Sequence, residues 1–256
     1  MTVLQAIILG IVEGITEFLP ISSTGHLIIA AKALAVEQSS FLTTFEIAIQ
    51  LGAILAVLFL YWRRLLLDKD TFIKVLCAFI PTAVIGLLAY PIVKSVLLGS
   101  TTTVLYALFL GGVAIIIFEY MFKEKEGTEV KDITIKQAVS IGLFQSLAIV
   151  PGVSRAAATI LGGIGLGLSR RAIVEFSFLL AIPTMAAATG LDLLKTAPVF
   201  TAEQIRLLLI GCAVSFVVAL AAVKFLLKFI QQNDFKAFGY YRIAFAILAF
   251  ILLFNI

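Results

Sequence analysis

Glu13-Gly-Ile-Thr-Glu17-Phe-Leu-Pro20-Ile-Ser-Ser23-Thr-Gly-His26 interrupts an otherwise apolar N-terminal stretch, and its reading decides the fold. Two carboxylates four residues apart on a helix-compatible segment project from one face. The proline ends one helical piece, and the hydroxyl residues after it can cap the next. Residues 1–36 therefore read as a broken helix. A second segment, 134–168, is broken in the same way by Pro151-Gly-Val-Ser154-Arg155-Ala-Ala-Ala-Thr159. Backbone left unpaired in such breaks survives at membrane depth only inside protein or beside water.

Membrane depth is the frame the composition demands. Of 256 residues, 62% are hydrophobic and 13% charged, with a mean hydropathy of +1.14, whereas soluble domains carry about 25% charged residues. Apolar runs of roughly 20 residues, the length that crosses a ~30 Å hydrocarbon core, recur at 41–62, 72–90, 101–122, 171–194, 203–229 and 237–255. Met1 to Gly10 lack the basic start and cleavage site of a secretory signal and are read as part of the mature fold. Cys77 and Cys212 sit inside apolar runs and imply neither a disulfide framework nor a metal cluster. The net charge of +4 is scattered over loops and helix ends, which argues against nucleic acid as a partner.

The chain also resembles itself. Gln5-Ala-Ile-Ile-Leu-Gly10 matches Gln137-Ala-Val-Ser-Ile-Gly142, Pro20-Ile-Ser-Ser23 matches Pro151-Gly-Val-Ser154, and Glu46-Ile-Ala-Ile and Glu175-Phe-Ser-Phe fall at nearly the same offset. Apolar sequences match by chance, but matched Gln, Gly, Pro, Ser and Glu are harder to obtain from composition. The expected fold is an all-α integral membrane protein forming a single membrane domain. Repeat one covers about 1–122, a solvated cytoplasmic linker about 123–133, and repeat two about 134–256. Each repeat is a re-entrant broken helix pair followed by three transmembrane helices. Three spans between the re-entrant segments place those segments on opposite faces, so the repeats have inverted topology.

Lys and Arg orient this arrangement, because cytoplasmic ends carry their excess. One face collects Arg63, Arg64, Lys69, Lys74, Lys123, Lys125, Lys131, Lys136, Arg170, Arg171, Lys224, Lys228 and Lys236. The other receives Lys32, Lys94, Lys195 and Arg206, with Arg155 and Arg242 set aside as intramembrane or ambiguous. Both termini, and the opening of the first break, are therefore expected on the outer face. Trp62 with Arg63 and Arg64, and Tyr240 with Tyr241 and Arg242, read as interface anchors.

The candidate chemistry lies in the breaks. Ionisable groups at membrane depth are costly and usually mark a site, and adjacent carboxylates repel unless a cation or proton sits between them. Glu13 and Glu17 would suit a divalent ion that prefers oxygen, Mg²⁺ or Ca²⁺. A helix N-terminus opening into each break favours an anion, phosphate above all. Ser22, Thr24 and Gly25 in the first break, and Gly152, Ser154, Arg155 and Thr159 in the second, are the candidate phosphate-binding residues. Arg155 either holds two phosphate oxygens or pairs with Glu13 or Glu17 across the repeats. His26, the only histidine, is the candidate general base or acid, on the same face as Ser23. Glu46 and Glu175 are expected to bond the dipping segments to the scaffold, as is Gln145, which stands where repeat one has Glu13; Asp192 is a further polar residue near a span.

The two broken stretches quoted above resemble the signature motifs of the bacterial undecaprenyl-diphosphatase, or bacitracin-resistance protein, family, and the resemblance extends over essentially the whole chain. It implies an inner-membrane enzyme that hydrolyses undecaprenyl diphosphate to undecaprenyl phosphate and inorganic phosphate with a divalent cation, recycling the lipid carrier of cell-wall synthesis and conferring bacitracin resistance. Its partners are the prenyl diphosphate lipid and membrane lipids, with a homodimer left open. The family's second motif commonly continues Ser-Arg-Ser, where this chain has Ala156. In the implied reaction Ser23 is the candidate nucleophile, His26 takes its proton and Glu17 orients the imidazole. Attack by water activated by His26, or by His26 itself, are the alternatives. A reading from another class is an ion-coupled secondary transporter or flippase of a prenyl-phosphate lipid, since inverted repeats with broken helices are also a transporter design.

The topology is directly testable. In a background lacking Cys77 and Cys212, a cysteine replacing Glu37 should react with an impermeant thiol reagent from outside intact cells. One replacing Glu126 should react only after permeabilisation; the opposite pattern inverts the assignment.

Overall fold

Three Thr-x-x-Gln sequences start helices in this protein, each by the same exchange of hydrogen bonds. In the computed structural model, which describes residues 1–92, 100–122, 127–196 and 200–254, Thr2 and Gln5, Thr134 and Gln137, and Thr201 and Gln204 each form a reciprocal capping box. They open α1 (Val3–Thr16), α6 (Ile135–Gln145) and α9 (Ala202–Phe229). Serine caps serve α3 (Ser40–Leu67), through Ser39, and α5 (Thr101–Met121), through Ser100. The remaining helices are α2 (Ser23–Ala33), α4 (Lys69–Ile92), α7 (Arg155–Gly165), α8 (Arg170–Thr196) and α10 (Lys236–Phe254), and the described residues contain no strand. The side chains of Asp192 and Lys195, together with Lys94, Lys123, Lys125 and Glu126, lie outside the described residues.

Six of these helices, α3, α4, α5, α8, α9 and α10, are long and apolar enough to cross a membrane, and they coincide with the expected runs. The helix continues through Pro81 in α4 and Pro183 in α8. The other four are short. At 1.5 Å per residue, the 14 residues of α1 or the 11 of α6 fall well below a ~30 Å core.

Packing is reciprocal between the halves. α1 lies on α9 and α6 on α4, α3 packs on α9 and α8 on α4, and α3–α8 and α5–α10 join like with like. Small residues let these backbones approach. A Cβ added at Gly142 would sit 1.9 Å from the carbonyl oxygen of Ala78, and one at Gly10 would sit 2.8 Å from that of Gly211. Local detail recurs 132 residues apart. Gln5 donates to the Leu34 carbonyl at 3.0 Å and Gln137 to that of Leu166 at 3.3 Å. Ser22 and Ser154 share the unusual φ of 71° and 75°. The backbone therefore matches Ser22 with Ser154 and Ser23 with Arg155, one residue away from the pairing that the prolines suggest.

Two expectations about scaffold polar groups, and one about the linker, meet different outcomes. Gln145 on α6 donates to Thr82 and Thr184, both at 3.0 Å, and so bonds its segment to α4 and α8. Glu175 instead joins two spans: it accepts from Arg64 of α3 at 2.5 Å and from Arg171 at 3.0 Å. The described part of the linker is not simply solvated. Val130 and Ile133 are buried, and Ser169 bonds Thr128 through both its amide and its hydroxyl.

Gly142→Ala should lower stability by about 3 kcal/mol or more, because backbone cannot yield as a side chain can. Gly86→Ala, where nothing lies within 4 Å, should be neutral or stabilising by up to about 1 kcal/mol. Thermal unfolding in detergent, followed through Trp62, checks both.

Candidate functional site

α1 stops at Thr16, whose hydroxyl turns back on the Val12 carbonyl at 2.7 Å. The chain then turns through residues 17–21 and re-enters a helix at Ser23. Glu13, Glu17, Ser23 and His26 are all buried. The Ser23 hydroxyl donates to Glu17 Oε2 at 2.5 Å, while Glu17 Oε1 accepts from Arg155 Nη2 at 3.2 Å. One carboxylate thus joins a hydroxyl of the first break to a guanidinium of the second. Arg155 is steadied by the Ser177 carbonyl at 3.0 Å and by the Phe18 ring, whose centroid lies 5.7 Å away. Phe18 in turn meets Phe178 edge-on at 5.4 Å.

Glu13 lies one turn before Glu17 and is fully buried, and neither of its oxygens has a hydrogen-bond partner. It interacts electrostatically with Glu17, Glu46 and Arg155. A carboxylate so placed needs a proton or a cation. Hard oxygen donors on two neighbouring carboxylates are a chemical fit for Mg²⁺ or Ca²⁺.

Other expected site residues are placed less directly. Ser154 caps α7 by accepting from the Ala157 amide at 3.2 Å, whereas Ser22, at the same place before α2, makes no side-chain cap. Thr159 is fully buried, its hydroxyl 2.6 Å from that of Ser177. Thr24 is exposed. Gly25 and Gly152 pack on α5: an added Cβ would lie 2.8 Å from Leu108 Cδ1 and 2.6 Å from the Val104 carbonyl oxygen, respectively. Both glycines therefore serve close approach of the breaks to α5. His26 does not meet Ser23 or Glu17. Its Nδ1 lies 2.8 Å from the Ser22 carbonyl oxygen and its Nε2 2.8 Å from the Tyr241 hydroxyl, so the partner of the Ser23 hydroxyl is Glu17.

Arg242 is the residue whose part the sequence reading missed. It is completely buried, and its five donors reach five backbone carbonyls: Leu108 from Nε at 3.2 Å, Pro20 and Val153 from Nη1 at 3.2 and 3.0 Å, and Ala107 and Gly152 from Nη2, both at 2.9 Å. Among the described residues no carboxylate pairs with it. Pro20 belongs to the first break and Gly152 and Val153 to the second, so one side chain ties both to α5. Full burial takes Arg242 out of the expected set of interface anchors, while the half-exposed Tyr241 turns its hydroxyl to His26. An arginine inside an apolar span was the available signal, but carbonyl partners leave no trace in sequence.

A family model described as bacitracin resistance protein BacA matches residues 6–248. The chain is 50% identical to an undecaprenyl-diphosphatase of Bdellovibrio bacteriovorus over 257 residues, covering 100% of this chain and 97% of that protein. It is 49% identical to one of Aquifex aeolicus, covering 95% of each. With one of Thermus thermophilus it shares 47% identity, covering 94% of each.

Arg242→Lys keeps the charge but offers three donors in place of five. At least two buried carbonyls then lose their partner, at a cost of about 2 kcal/mol or more. Thermal unfolding in detergent should register the loss, and an unchanged melting temperature would contradict the clamp.

Proposed function

The chain belongs to the bacitracin resistance protein BacA family, and on that premise we infer that it hydrolyses undecaprenyl diphosphate to undecaprenyl phosphate and inorganic phosphate. It is then a multi-pass membrane phosphatase that recycles the lipid carrier of cell-wall synthesis and confers bacitracin resistance. The observation that carries the chemistry is the buried Glu17, bonded at once to the Ser23 hydroxyl and the Arg155 guanidinium. A hydroxyl held against a carboxylate is an arrangement that nucleophilic attack on phosphorus uses and that transport of a lipid does not need.

The mechanism assigns roles from those contacts. Ser23 Oγ forms a bond to the terminal phosphorus as its proton passes to Glu17, the oxygen it already faces at 2.5 Å. The bond from that phosphorus to the bridging oxygen breaks, and undecaprenyl phosphate leaves. Glu17 loses the proton it took as undecaprenyl phosphate departs; water then attacks the phosphoserine, its proton passing through Glu17 to Ser23 Oγ as the bond from Oγ to phosphorus breaks, and inorganic phosphate leaves with Ser23 restored. Arg155 exchanges Glu17 for the non-bridging phosphate oxygens and stabilises the charge that gathers on them. Free amides at the starts of α2 and α7 add donors for phosphate. Glu13, with Glu17 beside it, would hold the divalent cation. When bound, that ion neutralises charge on the diphosphate and its leaving oxygens. This reading gives proton acceptance to Glu17 in place of His26.

The finer architecture belongs to the same proposal. The halves are inverted repeats, with 1–36 and 134–168 as re-entrant segments; reciprocal packing of α1 on α9 and α6 on α4 supports this, as do three spans in each half. The excess of Lys and Arg on one side supports a bacterial cytoplasmic membrane location with both termini and the substrate opening on the periplasmic face.

Phosphate release from undecaprenyl diphosphate by the purified protein in detergent tests the reaction. Glu17→Gln, Ser23→Ala and Arg155→Lys should each lose on the order of 10²–10⁴-fold. A chelator should stop release, and added Mg²⁺ or Ca²⁺ should restore it. Full activity of Ser23→Ala would move the attack to water, and no release from folded wild type would favour the transporter.

A further inference from the structure

Histidine occurs once in this chain, and both nitrogens of its ring are engaged. Nδ1 of His26 faces the Ser22 carbonyl oxygen at 2.8 Å. A carbonyl only accepts, so Nδ1 carries a hydrogen. Nε2 faces the Tyr241 hydroxyl at 2.8 Å. In a neutral imidazole protonated on Nδ1, Nε2 is the acceptor and the phenol donates to it. Aromatic rings fix the plane. Phe245 stacks on the imidazole with centroids 4.0 Å apart and planes 6° apart, and Tyr241 lies nearly parallel at 5.6 Å.

The place of Tyr241 on α10 gives this contact its weight. The next residue is Arg242, which holds the Pro20 carbonyl at 3.2 Å. Ser22, two residues beyond Pro20, has φ 71°, a conformation that a residue with a side chain adopts only when its surroundings impose it. The imidazole bonded to its carbonyl is one such restraint. α10 thus grips the first break at two points, through Arg242 on Pro20 and through Tyr241 and His26 on Ser22. The next residue along is Ser23, with its hydroxyl on Glu17.

We propose that Tyr241 is a positioning residue for the phosphate site: its hydroxyl donates to Nε2 of His26, whose Nδ1–H bonds the Ser22 carbonyl, and through that imidazole it holds Ser22 and Ser23 in place for attack on a prenyl diphosphate. The kinetic part rests on the function inferred above; the tautomer part does not. A ring alone would supply packing, and only the hydroxyl supplies the donor.

Because His26 is the sole histidine, full-length protein carrying ¹⁵N-histidine gives imidazole signals from this residue alone. Wild type in detergent should show a protonated Nδ1 and an unprotonated, hydrogen-bonded Nε2. Tyr241→Phe keeps the stack and removes the donor, so Nε2 should move to the position of a free acceptor while Nδ1 stays. Its kcat for phosphate release should fall on the order of tenfold, the worth of one hydrogen bond, with KM unchanged within about twofold. Phe245→Leu keeps the hydroxyl and should leave the Nε2 signal bonded. An Nε2–H tautomer in wild type, or a Tyr241→Phe protein with unmoved Nε2 or unmoved kcat, overturns the proposal. Full activity of His26→Ala would overturn the part of His26 in the reaction, and the kinetic half of the proposal with it, while the ¹⁵N signals decide the tautomer separately.

Discussion

A buried guanidinium that no carboxylate among the described residues answers is the constraint on which the rest of this fold depends. Arg242 is stable at its depth because five carbonyl oxygens replace its water. Those carbonyls are the groups that two broken helices would otherwise leave bare. Each need cancels the other: the breaks supply acceptors without donors, and the arginine supplies donors without an acceptor. Since Pro20, Gly152 and Val153 share one planar fork, the two breaks are held within a few ångströms of each other. The Glu17–Arg155 bond at 3.2 Å between them follows from that spacing.

The same backbone place serves two chemistries. Ser22 and Ser154 both bend into left-handed φ before a helix begins, and the residue that follows starts the helix in each half. In the first half that residue is Ser23, in the second Arg155, and Glu17 bonds both. Strain is stored at two matched positions, where active sites commonly keep it.

Much of this was legible in sequence, for physical reasons. Spans could be read because lipid demands apolar runs of set length, and the breaks because a proline with a cluster of hydroxyl and charged residues is more polarity than such a run can carry as unbroken helix. Glu17, Ser23 and Arg155 stood out as polar groups where polarity is costly. The partners did not. Nothing in Tyr241 or Arg242 indicates that one faces an imidazole and the other carbonyls 89 to 222 residues away along the chain. The one-residue error in matching the halves arose because Pro20 and Pro151 are conspicuous letters, whereas the recurring unit is a backbone dihedral that several residues can adopt. Glu175 was misread for a related reason, since a carboxylate near a span end finds whichever arginine the packing of α3 on α8 presents.

Glu13 and Gln145 occupy the same place in the two halves, and their difference has a consequence for how the protein responds to its surroundings. Gln145 is neutral and donates to Thr82 and Thr184, although its own side-chain oxygen is buried without a partner. Glu13 has two bare oxygens beside another carboxylate. A proton or a cation bound there would add its binding free energy to the stability of the folded form. At this matched place the two halves therefore differ by one ionisable group: an amide is neutral whatever the medium holds, and only the carboxylate has a use for a proton or cation drawn from it.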